Sequence, residues 1–73
     1  MKELLKRLKA RSVQISKKNG IYNVVAHFNK NHTETALVDF KNKEVDTSRD
    51  NKNLIDFFAK KEFLVVVEYI KGN

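Results

Sequence analysis

His27 and His32 are the only histidines, and they are the residues best suited to acid–base chemistry. Beside Lys or Arg, a histidine can act as general base in phosphodiester transfer, and with Glu34 or Asp39 the pair could ligate a metal ion. No motif of a ribonuclease or a metal protein surrounds them. We therefore expect a non-enzymatic protein without metal or cofactor, and a small ribonuclease remains the open alternative.

A stretch of acidic residues is the second candidate site. A tight turn at 41–43 would place Asp39 opposite Asp46 on paired strands, where facing carboxylates could hold Mg²⁺. Several cations follow closely in the sequence and can balance this charge. We therefore expect the acidic side chains to face solvent: Asp39, Glu44, Asp46 and Asp50.

The strongest functional signal is the distribution of charge. The chain has 73 residues, with 15 Lys/Arg against 9 Asp/Glu and a formal net charge of +6. Residues 1–18 hold seven cations and only Glu3, so this segment carries the whole net charge, while residues 19–73 balance to zero. The asymmetry predicts one positive surface for phosphates or for an acidic protein surface. A solvated face that only aids solubility is the alternative.

One aromatic residue lies close to these cations in the predicted fold. Tyr22 is expected opposite Lys17, and a cation beside an exposed ring is typical of single-strand binding. The same register places Tyr22 on an apolar face, where it could simply edge the core. The predicted nucleic-acid-binding residues are Lys2, Lys6, Arg7, Lys9, Arg11, Lys17, Lys18 and Tyr22.

Length and composition exclude several classes of protein. The absence of Cys excludes disulfides, thiolate metal sites and a cysteine nucleophile. The longest apolar run, Phe63 to Val67, is far shorter than the ~20 residues of a membrane span. We expect one domain over residues 1–73 in a cytoplasmic protein. Its twelve Lys against three Arg and its eight Asn fit a bacterial or phage accessory protein.

The spacing of apolar residues along the sequence predicts the helices and strands that position these side chains. Met1, Leu4, Leu5 and Leu8 form one stripe of an amphipathic N-terminal helix. Asn19-Gly20 favours a type I′ turn, since both residues tolerate positive φ. That turn predicts a hairpin in which Lys18 pairs with Ile21, Lys17 with Tyr22, Ile15 with Val24 and Val13 with Ala26.

The second half predicts more strands and another helix. A strand over residues 33–40 and a short strand over 44–47 precede a helix that Asn53 caps. The β-branched run Phe63 to Ile70 predicts a last strand in the middle of the sheet. The fold class is therefore α+β, with four or five mainly antiparallel strands in the order α-β-β-β-(β)-α-β and both helices on one face.

Two functions fit this pattern. The first is a small basic nucleic-acid-binding domain that uses the N-terminal helix and the hairpin tip, without distinguishing DNA from RNA. The second is a small inhibitor or regulator that binds a larger protein, steered by its positive charge. An edge strand or the last strand could also join two copies in a homodimer.

Overall fold

The fold is an open four-stranded antiparallel sheet with three helices. A computed structural model describes residues 3–71. The elements are α1 (Glu3–Leu8), β1 (Ser12–Lys18), β2 (Ile21–Asn29), β3 (His32–Asp39), β4 (Glu44–Asp46), α2 (Lys52–Ala59) and α3 (Phe63–Lys71). The strands follow the order β1-β2-β3-β4. The predicted α+β class is confirmed.

The first hairpin has the predicted register. Lys18 pairs with Ile21, and Val13 pairs with Ala26. Asn19 and Gly20 have φ values of 53° and 82°, as a type I′ turn requires. A one-residue slip would move every apolar side chain to the other face, so the Asn-Gly turn fixes which face of the sheet is covered.

The core lies between one sheet face and the helices. Its buried side chains come from alternate positions of the strands and from one side of each helix: Leu4, Leu8, Val13, Val24, Ala26, Ala36, Val38, Leu54, Phe57, Phe58 and Val66. The leucine stripe of the N-terminal helix is thus confirmed at Leu4 and Leu8, and Met1 lies outside the described residues. Helix α1 ends at Leu8, and the next residue, Lys9, has a φ of 64°.

The predicted last strand is wrong, because residues 63–71 form α3. Val66 is fully buried, whereas Leu64 is 78% exposed and Glu68 and Lys71 are also exposed. The exposed residues Leu64, Glu68 and Lys71 are four and three positions apart, which is the spacing of one side of a helix. A short apolar run does not distinguish a strand from a buried helix by periodicity, and tertiary packing here overrides the β-propensity of the valines. The structure therefore has no last strand through which two copies could pair.

Two finer predictions are also wrong. Helix α2 begins at Lys52, so Asn53 lies inside its first turn instead of capping it. Asp39 pairs with Glu44, and Asp46 pairs with Leu37. The reason is a four-residue connection between β3 and β4, which shifts the register of the short strand.

Helix α2 is held by a carboxylate from the sheet. Glu34 lies on the covered face and is only 1% exposed. Its Oε1 accepts the backbone N–H of Leu54 at 2.9 Å, and its Oε2 accepts Asn53 Nδ2 at 2.8 Å and lies 2.6 Å from His32 Nε2. Burial raises the pKa of Glu34, but these hydrogen bonds outweigh that effect and hold the pKa below its usual value.

We expect Glu34→Gln to lower the free energy of unfolding at pH 7 by about 1–3 kcal/mol, since a buried charge-assisted bond is lost. The folded-state pKa of Glu34 is lowered, so its stabilisation is complete above the unfolded pKa and is lost as pH falls through the folded value. The difference from the parent should therefore shrink in acid. Urea unfolding between pH 7 and pH 3 measures both, with the exposed Glu44→Gln as control. An equal difference at both pH values would contradict this role.

Candidate nucleic-acid interface

The predicted cations lie in α1, in the segment after it and at the hairpin tip. Lys6, Lys9 and Arg11 belong to α1 and the segment after it, whereas Lys17 and Lys18 lie at the hairpin tip. The strand between them has seven residues, which corresponds to roughly 20 Å at ~3.3 Å per residue. The strand thus separates Arg11 from the hairpin tip, and Lys2 lies outside the described residues.

Arg7 is already occupied by acidic side chains. Its guanidinium forms ion pairs with Glu3, one turn away, and with Glu62 in the connection between α2 and α3. Hydrogen bonds to Glu3 and Glu62 raise the pKa of Arg7, and the bond from Arg7 lowers the pKa of Glu3. A phosphate would have to displace these carboxylates. The position of Arg7 fits a tie between α1 and the α2–α3 connection.

The hairpin tip gathers lysines that charge counting along the chain missed. In an antiparallel sheet, the β1–β2 and β3–β4 connections lie at the same end. The α2–α3 connection reaches the same end, since Lys61 and Lys43 line one groove with Phe40. We call this set of five residues the lysine end: Lys17, Lys18, Lys41, Lys43 and Lys61. Within residues 3–71, no carboxylate lies within ion-pair distance of any of them.

Three half-buried aromatic rings form the floor of the lysine end. The centroids of Tyr22 and Phe40 are 5.0 Å apart, and those of Phe40 and Phe63 are 6.2 Å apart, both in edge-to-face geometry. The Lys17 Nζ lies 5.5 Å from the Tyr22 ring centroid. The predicted pairing of Lys17 with Tyr22 is confirmed, and the ring lies on the helix-covered face of the sheet.

A groove opens beside this floor. Its walls are Phe40, Phe63, Leu64 and Val67, its rim carries Lys43 and Lys61, and its volume is about 440 Å³. Leu64 is 78% exposed, more than any other large hydrophobic residue described. The groove therefore combines apolar walls with two cations.

The acidic residues lie on a different surface. Asp39, Glu44 and Asp46 line a groove with Ile21 and Leu37 on the open sheet face. Asp39 accepts hydrogen bonds from the Asn42 side chain, at 2.8 Å, and from the backbone of residues 41 and 42, which lower its pKa. Across residues 3–71, no three His, Cys, Asp or Glu side chains are arranged to hold a metal ion.

The two histidines do not meet. His27 lies on the open face, with its ring nitrogens 3.3 Å from Thr33 Oγ1 and 3.4 Å from Gln14 Oε1. His32 bonds to Glu34 on the covered face instead. A ribonuclease mechanism that joins both rings at one phosphate therefore has no support in this geometry.

Comparisons with known proteins add no assignment. No protein-family model, curated protein or solved structure matches the chain. Over the part of the chain described, no helix has the length and apolar character needed to cross a membrane. The lysine end and the groove beside it are therefore the features that bear on function.

Two lysines of this surface occupy strained backbone positions. Lys43 and Lys61 have φ values of 54° and 57°, in the left-handed region that favours glycine. Lys61 follows α2, and its N–H donates to the carbonyl of Phe58 at 2.9 Å. Glycine is the residue that stability alone favours here, so lysine at both positions is consistent with a use for its charge.

We expect Lys61→Gly to raise the free energy of unfolding by a few tenths to about 1 kcal/mol, because glycine adopts positive φ without a side-chain clash. The matched control is Lys60→Gly. Lys60 has a φ of −81°, so glycine there should lower stability through its greater freedom in the unfolded chain. Urea unfolding of both variants measures the difference. If both substitutions changed the free energy of unfolding by the same amount, strain at Lys61 would be contradicted.

Proposed function

We propose that the protein binds nucleic acid by contacting phosphates through the lysine end, with Lys6, Lys9 and Arg11 as a second contact group. The supporting observation is that three connections bring five lysines to one end of the sheet, with no carboxylate of residues 3–71 within ion-pair distance of them. Cations held at one end of a domain attract a polyanion and release its counterions. Lys17 and Lys18, predicted from sequence, belong to this surface, and Arg7 contributes by orienting α1.

The distribution of acidic groups favours the same surface. The carboxylates of Asp39, Glu44 and Asp46 line the open sheet face, which would repel a phosphate backbone. Of the sheet's two faces, the other is covered by helices. A polyanion would therefore bind at the end of the sheet instead of lying across it.

Affinity for nucleic acid should depend steeply on salt. If all five lysines of the lysine end neutralise phosphates, the slope of log affinity against log salt is about −3.5 for single strands and about −4.5 for duplexes. Replacing Lys18, Lys41, Lys43 and Lys61 by Gln should remove most of that slope. Fluorescence titration of labelled oligonucleotides at about 50 and 200 mM salt measures it.

The control variant removes the same number of charges elsewhere, at Lys30, Arg49, Lys52 and Lys71. It should change the slope much less. A third variant, with Gln at Lys6, Lys9 and Arg11, measures the contribution of the second group. Equal losses in the first two variants would mean that net charge alone causes binding, and no binding at about 50 mM salt would overturn the proposal.

Protein binding through β1 is the second candidate function, and the hairpin register favours it. In a two-residue hairpin, Lys18 and Ile21 exchange hydrogen bonds, so alternate residues of β1 point their backbone groups outward: Val13, Ile15 and Lys17. The Tyr69 hydroxyl donates to the Val13 carbonyl at 3.0 Å, which agrees with that direction. A strand from a partner or a second copy could pair with this edge.

Strand addition predicts that Lys17→Pro abolishes self-association while leaving the fold intact, since proline removes an outward N–H that β2 does not use. Lys17→Gln is the matched control, because it loses the charge and retains the N–H. Sedimentation at increasing concentration measures the oligomeric state. A monomer at all concentrations in the parent would exclude the homodimer, and dissociation by Lys17→Gln would attribute it to charge.

A further inference from the structure

The groove beside the lysine end has the form of a small-ligand site. Its volume of about 440 Å³ lies within the range of about 300–1,000 Å³ for such sites. Phe63, Leu64 and Val67 share one side of α3, because positions i, i+1 and i+4 lie within about 100° of a helix. Phe40 closes the opposite wall from the end of β3.

The walls and the rim differ in chemistry. The four walls are apolar or aromatic, whereas Lys43 and Lys61 stand at the rim, and no acidic residue lines the groove. An occupant that matches both features has a flat apolar body and a negative charge attached beside it. An unpaired nucleobase on its phosphate backbone has this combination.

We infer that this groove binds an unpaired base, so that the ligand of the lysine end is a single-stranded nucleic acid. The inference rests on the proposed function. Lys43 and Lys61 contact the phosphates that flank the base, and the base lies against Phe63, Leu64 and Phe40. A duplex keeps its bases stacked and presents only their edges, so it reaches the lysines without filling the groove.

The positive charge of the rim also favours a nucleic acid over a second copy of the chain as the occupant of the groove. Two copies joined through this groove would bring Lys43 and Lys61 of each copy together, and like charges disfavour such a contact. A polyanion meets the same lysines favourably. We therefore expect Leu64 substitutions to change oligonucleotide affinity and to leave the sedimentation coefficient unchanged.

The test compares three probes of about twelve nucleotides, within the length range that single-strand-binding domains cover. They are oligothymidylate, an abasic oligomer with the same backbone, and a duplex. We expect the full chain to bind oligothymidylate about 5- to 100-fold more tightly than the abasic oligomer, since base–aromatic stacking is of this size. Leu64→Ala should reduce that ratio, while Leu37→Ala, an exposed leucine on the open face, should not.

A tryptophan at the groove gives a direct signal. The chain has no Trp, so Leu64→Trp introduces a single tryptophan at an exposed position, and its emission is excited selectively above the tyrosine absorption. Its emission should be quenched by oligothymidylate and not by the abasic oligomer. Circular dichroism and urea unfolding check that each variant is folded.

The outcomes separate the two proposals. Equal affinity for thymidylate, abasic and duplex probes would overturn the base-binding groove and leave phosphate binding by the lysine end in place. No affinity for any probe would overturn both. Oligomers that form in the parent and dissociate on Leu64→Ala would assign the groove to a second copy of the chain instead.

Discussion

The buried carboxylate of Glu34 is the constraint on which the arrangement of the helices depends. A charge on the covered face of a small sheet is costly unless hydrogen bonds compensate it. The first turn of α2 offers such donors, because its backbone N–H groups have no partner within the helix. The bonds from Leu54 and Asn53 therefore fix where α2 begins over β3. Since α2 has eight residues, its start also determines where its C-terminal end meets the sheet. This position of α2 places Lys61, which follows the helix, beside Lys43.

The sequence predicts the first helix and the first hairpin correctly, but not the last element or the way the elements assemble. Asn19-Gly20 specifies a turn whose geometry few other residue pairs adopt, so both register and covered face could be predicted. The spacing of Leu4 and Leu8 likewise predicts one buried helix face. Residues 63–70 were predicted wrongly because three consecutive valines favour a strand, whereas this segment packs on the core as a helix that buries Val66. Charge counting along the chain missed Lys41, Lys43 and Lys61 for a related reason, because acidic neighbours in sequence cancel them in the count. In the fold, Asp39 and Glu44 lie on the open face and Glu62 pairs with Arg7.

Residues 19–73 have zero net charge, but the fold places their acidic and basic side chains on two surfaces of opposite sign. Alternation along β3 and β4 turns Asp39, Glu44 and Asp46 onto the open face. The β3–β4 connection carries Lys41 and Lys43 to the end of the sheet, and the α2–α3 connection brings Lys61 to the same groove. Fields from such an arrangement act over about a Debye length, ~8–10 Å at physiological salt, so each surface acts mainly on groups next to it. Lys41 is near enough to Asp39 to help lower the pKa of that carboxyl. A binding partner would therefore experience the local surface, and net charge is a poor guide to where it binds.

The wrong prediction of a strand at residues 63–70 and the candidate groove both depend on one feature, the helical form of this segment. In a strand, Phe63 and Val67 would lie on one face and Leu64 on the other, because side chains alternate. The helix places all three on one side, next to Phe40, and leaves Leu64 exposed beside two lysines. A purely electrostatic surface would bind any polyanion with similar affinity, since phosphates carry no sequence information. The apolar wall adds a contact that only an accessible base can fill. The helical form of residues 63–71 is thus what would convert a basic surface into one that distinguishes between nucleic-acid structures.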